Sequence, residues 1–505
     1  MRKRETFCAS IFGRGLLMMT ATMTTGITPA TAQILAPTSP APEAAKPVPP
    51  PPELVPGGRA ATPDMPQLIR WTEDWSKLRD VAPKDRKPLE KLRYLPLADD
   101  IYLSLGGEAR LYRTETDHLT LGARPGNDAN STLQQRLRLL ADLHIGPNLR
   151  AFVELGDNRE YGQEIATPPN QDKLDIEQAF VDAKVPIGQN ASLTLRGGRF
   201  EMPLGSLRLV GLREGTNVRF LFQGGRAVFD LKGKVRVDAF MTRPVQISSN
   251  RVFDDGAVPG AHFNGVYVST PVGAAVPGVG FDVYYFDQRR ENARLHGSTA
   301  AVELRKSIGA RLYGRSHHWD YDVEGTFQFG AFGTQTIRAW AVMYEGGYNL
   351  PSLPLTPRVG VRGNLFSGGS NAAGGTIGTF LAPFPKAPIY NNSDATWFNF
   401  SNMIDVFPML SIKPSRRLNI AVGPEFFWRQ NAADSTYSAP TAAPLIMPEG
   451  QDRYVGKAYN LEVGWQATRN LAFRVTYNRF LASDSFIGGG GKSAHFTGLQ
   501  SNFRF

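Results

Sequence analysis

From Ile101 to the end of the 505-residue chain, apolar and polar side chains alternate in segments of about ten residues. No other feature constrains the fold as tightly, because a period of two puts alternate side chains on opposite faces of a strand. In TLQQRLRLLADLHI, Leu137, Leu139, Ala141, Leu143 and Ile145 share one face, and Arg136, Arg138, Asp142 and His144 share the other. NLAFRVTYN sets Leu471, Phe473, Val475 and Tyr477 against Arg474, Thr476 and Asn478. HWDYDVEGTFQF sets Trp319, Tyr321, Val323, Phe327 and Phe329 against Asp320, Asp322, Glu324 and Gln328.

The connections carry a second pattern. Tight ones fall at 146–148, 187–190, 232–234, 272–278, 315–318, 351–357, 413–417 and 468–470. Longer polar or glycine-rich ones fall between them, at 117–131, 157–173, 203–221, 246–262, 289–302, 366–396, 431–452 and 482–492, with a brief one near Gly333. This alternation predicts an all-β fold, a transmembrane antiparallel barrel of about eighteen strands with short periplasmic turns and long extracellular loops. No run of eighteen apolar residues follows the N-terminal leader, so helical spans are not expected.

A soluble sandwich would alternate as well, with its polar face outside. Two features favour the inverted arrangement. The polar face carries more Arg, Asp and Glu than a solvated rim needs, and aromatic pairs gather at segment ends: Trp340 and Tyr344, Trp397 and Phe398, Phe426 and Trp428. The closing stretch SAHFTGLQSNFRF alternates to its last residue, whereas terminal residues of soluble domains commonly fray. A final strand ending on Phe505 fits a sheet that pairs its last strand with its first, and it offers the barrel assembly machinery an aromatic end. The expected setting is the bacterial outer membrane, with its lipid as one partner.

Ahead of the barrel the sequence divides into three parts. Residues 1–32 read as a signal peptide: Arg2, Lys3 and Arg4, an apolar stretch from Leu16 to Ile27, and Ala30-Thr31-Ala32 before Gln33. Its removal takes away the only cysteine, Cys8, and lowers the formal charge from +10 to +7. Residues 33–70 read as a proline-rich, disordered periplasmic segment, a spacer able to reach a periplasmic partner. Residues 71–100 read as a short periplasmic lead-in, with a helix in LIRWTEDWSKLRD capped by Thr72 and its Trp71 and Trp75 anchored at a rim. Residues 101–505 are the barrel.

With apolar side chains against lipid, the other set lines a lumen. It holds Arg110, Arg136, Arg138, Arg150, Arg196, Arg236, Arg311, Arg338, Arg358, Arg362, Arg474 and Arg504. The accompanying carboxylates are Glu108, Asp142, Glu154, Asp182, Asp238, Glu425 and Glu462. Arginine keeps its charge at physiological pH and matches a carboxylate bidentately, and rings of arginine select anions in a pore. The bland alternative is that these pairs only brace the wall.

Several of these stretches resemble the alginate export family of outer-membrane proteins: RWTEDWSKLRD, YLSLGGEARLY, LQQRLRLLADLHIGPNLRAFVELGD, LDIEQAFVDAKVPIG, LTLRGGRFEMPLGSLRLVGLREGTNVR, VDAFMTRPV with VFDD, and DYDVEGTFQFGAFGTQTIRAWAVMYEGGY. The resemblance runs from about Trp71 to Phe505. It implies an eighteen-stranded monomeric barrel with a narrow arginine-rich pore for a uronate polysaccharide. It also implies strand arginines at Arg110, Arg136, Arg138, Arg196, Arg199 and Arg338. Arg199 breaks the alternation of Leu193 and Leu195, which predicts a bulge at Gly197-Gly198. The proline-rich leader and the loops at 366–396 and 431–452 depart from the family pattern.

Other chemistry finds little footing. Gly488 to Gly491 is not followed by a helix pattern, His317-His318 lacks nearby ligands for a metal, and no G-x-S-x-G is present. No cofactor, metal or enzymatic activity is expected, and the dispersed positive charge argues against nucleic acid. The expected function is an anion-selective pore for an alginate-like polysaccharide in the export direction. An uptake porin for small acidic solutes is the alternative.

Overall fold

The alternating segments become the wall of one sheet in the computed structural model, which describes residues 66–249, 251–271, 278–295, 298–369, 375–385, 395, 397–438 and 443–505. The expected signal peptide and almost all of the proline-rich segment lie outside these residues. The strands that form the wall are β1 Ile101–Thr116, β2 Asn130–Ile145, β3 Leu149–Tyr161, β4 Asp172–Ile187, β5 Ala191–Phe200 and β6 Phe222–Leu231. They continue as β7 Val235–Gln246, β8 Ala261–Pro271, β9 Val279–Ala293, β10 Ala301–Arg315, β11 Trp319–Phe332 and β12 Gln335–Asn349. The last six are β13 Arg358–Phe366, β14 Met403–Ser415, β15 Leu418–Trp428, β16 Tyr454–Gln466, β17 Leu471–Ala482 and β18 Ala494–Arg504. Each pairs antiparallel with its sequence neighbour, and β18 pairs back onto β1 from Arg504–Glu108 to Phe496–Thr116. The eighteen strands therefore close into a barrel. Its short and long connections alternate as the sequence predicts.

Closure is carried to the last residue. Phe505 N donates to Gly107 O at 3.0 Å, and Gly107 N donates to Phe505 O at 3.1 Å. Beyond that point the short strand Leu95–Ala98 takes over the free edge of β1 at Ile101 to Leu103. Arg70 locks the seam from inside, donating to Gly107 O at 2.9 Å and Phe505 O at 2.5 Å. A Cβ on Gly106 would collide with both Arg70 and Arg93, so a glycine is needed where these guanidinium groups lie on the wall.

Burial fixes which face meets lipid. Met241 is 75% exposed, Leu139 64%, Val359 57% and Val181 55%, whereas Arg110, Arg136 and Asn158 are fully buried. That is the reverse of a soluble sheet and the arrangement of a membrane barrel.

The segment after the proline-rich stretch departs from its expected form. It holds two 3-10 turns, Arg70–Thr72 and Ser76–Asp80, and one helical turn, Glu90–Arg93. Thr72 is not an N-cap; its hydroxyl donates to Ile69 O at 2.6 Å. Trp71 and Trp75 are buried, not set on a rim. Trp71 packs edge-on against Phe180 of β4, with the Arg196 guanidinium 4.2 Å from its ring centroid, so this segment occupies the bore.

Two more expectations are corrected. Trp397 and Phe398 belong to no lipid-facing girdle; they are buried in the 367–402 connection against Phe480 and Phe427. The ladder through Gly197-Gly198 has no register slip. Gly198 instead takes φ 134°, opposite Gly224 at φ 155°, and a Cβ on either would run into a carbonyl of the next strand. Register instead slips in the neighbouring β4, at Glu177 and between Asp172 and Asp175. Two registers therefore change there, and Asp172, Asp175, Glu177 and Gln178 are all buried despite their mixed parity.

Placing Leu139→Arg on the lipid face of β2 is expected to cost about 2–4 kcal/mol if the position lies near the bilayer midplane. Reversible urea unfolding in phospholipid vesicles measures it, and a neutral effect would contradict the assigned orientation.

Candidate functional site

The inner wall presents long ionic side chains, and a connection from the extracellular end folds down among them. Residues 201–221, between β5 and β6, cross the bore from one wall to the other. At one end Arg208 Nη1 lies 2.7 Å from Asp322, and the Ser206 hydroxyl donates to Glu324 at 2.7 Å, both on β11. At the other end Arg110 of β1 donates to Glu214 O and Thr216 O at 2.7 and 2.9 Å, and Arg136 of β2 lies 2.5 Å from the Glu214 carboxylate. Strands β1 and β11 stand on opposite sides of an eighteen-stranded ring. Leu207 and Arg213 hold φ of 68° and 57° within this crossing, a conformation that bulky side chains avoid unless surrounding contacts enforce it.

The charges form chains, not isolated pairs. Arg136 bridges Glu108 and Glu214, and Arg219 bridges Glu214 and Glu201 at 2.5 and 2.9 Å. Arg138 contacts Glu177 at 2.6 Å, and Arg504 contacts Glu108 at 2.9 Å. Across the bore Arg311 lies 2.9 Å from Asp282 and 2.7 Å from Asp322. Burial would raise Glu214, but the guanidinium groups of Arg136 and Arg219 outweigh it and hold the carboxyl well below its usual range. In the N-terminal segment burial dominates instead, pulling Arg93 down to about 10 although Glu73 opposes it.

Where the crossing loop meets the 367–402 connection, the centre is apolar. Gly211 N donates to Phe384 O at 2.7 Å, and Phe384 N donates to Leu209 O at 2.9 Å. The Phe384 ring packs on Phe220, Phe222 and Phe263. The lumen of arginines and carboxylates that the alternation suggested is thus narrowed by a phenylalanine-rich cluster supplied partly by loops. The inward groups that retain partial exposure include Arg358, Glu462, Arg474 and Arg504 on β13 to β18, with Glu345 and Glu214 beside them.

A model of the alginate export family matches residues 101–500. The chain belongs to that family. It is an outer-membrane transport barrel of the alginate export family, not an enzyme. Its fold is similar to Pseudomonas aeruginosa OccD3 (OpdP), at 11% identity and TM-score 0.55, covering 88% of this chain and 99% of that one. Acinetobacter baumannii OccAB4 is similar at 9% identity and TM-score 0.54, over 81% and 99% of the two chains. Pseudomonas aeruginosa OccK2 (OpdF) in complex with glucuronate is similar at 9% identity and TM-score 0.51, over 80% and 96%. At such identities the likeness concerns the fold. No functionally curated protein matches the chain.

Of the family-type strand arginines, Arg110, Arg136, Arg138 and Arg196 point inward and are buried. Arg196 grips Asp182 through Nε and Nη2, both at 2.7 Å. Arg199 sits at the extracellular end of β5, bonded to Ile176 O at 2.8 Å and Asp255 O at 2.9 Å. Arg338 is the exception: Ile337 and Ala339 take the inner face, and Arg338 is exposed on the outer face beside Trp340. Three residues from the extracellular end of β12, its long side chain can reach the headgroup level.

Arg311, Arg358, Arg362 and Arg474 lie on the inner side of the wall, as do Glu108, Asp142, Glu154, Asp182, Glu425 and Glu462. Sequence reasoning missed Arg208, Glu214 and Arg219, which alternation cannot reach because they lie between strands. Their signal was present in the charged run LRLVGLREGTNVR, dense for a loop exposed to water alone.

Replacing Arg136 with Ala would leave the buried Glu108 and the half-buried Glu214 without the guanidinium that bridges them at close range. Such a loss costs about 3–5 kcal/mol for a buried pair. The crossing loop should release, and single-channel conductance in planar bilayers should rise while the barrel still forms.

Proposed function

We propose that this barrel conducts an acidic uronate polysaccharide of the alginate kind outward across the outer membrane. The observation that carries the reading is the inward set of arginines on the wall, several of which already hold carboxylates as two-pronged forks. Arg150 grips Asp142 with two contacts of 2.7 Å, the geometry a uronate carboxylate would present to an arginine in the passage.

Family membership supports the polymer. The crossing loop supports a slender one, since it leaves the partly exposed groups Arg358, Arg474, Arg504 and Glu462 along one sector of the wall. Paired charges keep each site weak, and conduction needs weak repeated sites. In this reading the arginines among Arg110, Arg136, Arg138, Arg196 and Arg311 that are fully covered set the shape of the bore and its potential, while Arg358 and Arg474 meet the solute. The proline-rich stretch acts as the tether of the N-terminal segment.

One observation favours a second reading. The similar barrel OccK2 is named in complex with glucuronate, a single uronate, so the chain could instead admit small acidic solutes.

Planar-bilayer recording separates these. Anion preference with block by soluble polyuronate is expected, and Arg474→Ala should reduce the preference severalfold. Cation preference would reject both readings. Polymer block without glucuronate permeation in liposome swelling supports export of polymer, and free glucuronate permeation without block supports the small-solute pore.

A further inference from the structure

At the extracellular end of the wall, three carboxylates converge from separate pieces of chain. Asp172 and Asp175 come from the twice-bulged start of β4, and Asp255 comes from the 247–260 connection after β7. One oxygen from each lies within 4.8 Å of the others. Most of the hydrogen bonds in this group hold its frame. Asp255 N donates to Asp175 Oδ2 at 3.1 Å, Ser248 N donates to Asp255 Oδ1 at 2.6 Å, and Ile176 N donates to Asp175 Oδ1 at 2.6 Å. The neighbouring Asp254 accepts from the Ser248 hydroxyl at 2.8 Å and Arg251 N at 3.1 Å.

Asp172 does not fit such a frame. It is fully buried, and among the described residues neither of its carboxylate oxygens has a hydrogen-bond partner. The outer oxygen Oδ1 of Asp254 is buried and unpartnered in the same way. Arg199 touches Asp175 at 3.4 Å, and nearby Glu177 is engaged by Arg138. Burying an ionised carboxylate without partner or counter-charge costs several kcal/mol. Either a proton or a bound cation balances such a charge.

We propose that Asp172, Asp175 and Asp255 bind a divalent cation of the calcium class, which pins the 247–260 connection to β4 at the extracellular mouth. The donor set is all oxygen, with neither His nor Cys, which suits a hard cation and disfavours zinc or copper. Calcium accepts irregular sets of carboxylate, carbonyl and water oxygens at about 2.3–2.6 Å, so ligands on opposite sides of it lie about 5 Å apart at most. Sites on extracellular modules work at about 0.1–1 mM calcium, the regime open to a surface loop. The bound ion would hold Arg199 in place as well, because Arg199 bonds Asp255 O and Asp175 from one guanidinium.

The test uses the full chain, refolded in detergent and stripped with a chelator, titrated with calcium chloride by isothermal calorimetry and thermal unfolding. One calcium per chain and a raised unfolding midpoint are expected. Asp172→Asn should weaken binding by roughly tenfold or more and abolish the midpoint shift. Should Asp172→Asn fail to fold, Asp255→Asn, in the connection, carries the same expectation. Absence of calcium uptake by the unaltered chain up to about 10 mM, well above the extracellular regime, would overturn the proposal. Unchanged uptake in both variants would overturn it equally, placing the ion elsewhere.

Discussion

Hydrocarbon offers a backbone N–H or C=O nothing to bond, and the rest of this structure answers to that fact. Every strand must have two neighbours, so the sheet closes. The seam at β1 shows how much of the chain is engaged in closing it. One edge of β1 is shared between β18, Phe505 and the strand Leu95–Ala98, while Arg70 reaches from the N-terminal segment to bond Gly107 O and Phe505 O. Closure in turn sends apolar side chains outward to lipid and leaves polar ones inside.

The interior then faces a problem of its own. Arginines and carboxylates crowded on an inner wall must be solvated by water or by one another. Here they do both. Toward β1, β2 and β11 the crossing loop supplies Arg208, Glu214 and Arg219, so guanidinium and carboxylate alternate there. Toward β13 to β18 the wall keeps partial contact with solvent. The loop is thus held by electrostatics at its two ends and by phenylalanine packing at its middle. Such a barrier has discrete anchors and can move as a unit when one is lost.

How the same residues serve a passing solute follows from this balance. In the proposed reading, a fork already satisfied by aspartate passes an acidic solute on, whereas a naked guanidinium would hold it too long. The N-terminal segment adds a second obstruction from the opposite end, with Trp71 wedged against Phe180 and Arg196. Passage through this barrel therefore involves both a loop from the outer side and a segment from the inner side.

Strand number, strand limits to within a few residues, the alternation of turns and loops, and the inward face of Arg110, Arg136, Arg311 and Arg474 were all legible in the sequence. A period of two and the spacing of turn residues are local properties, and lipid imposes them strand by strand. What stayed hidden depends on contacts between distant segments. Arg338, assigned to the lumen set, points outward instead, because Ile337 and Ala339 take the inner face of its strand. Trp397 and Phe398 look like girdle aromatics until they are seen buried against Phe480 and Phe427. The burial of Arg136 requires Glu214, seventy-eight residues away, and the convergence of Asp172 with Asp255 requires two bulges in β4. The sequence alone established that this chain alternates as a barrel of about eighteen strands, and it favoured the apolar set for lipid. Only the tertiary structure decided what fills the bore, because loops choose their partners by long-range charge and packing that no local period encodes.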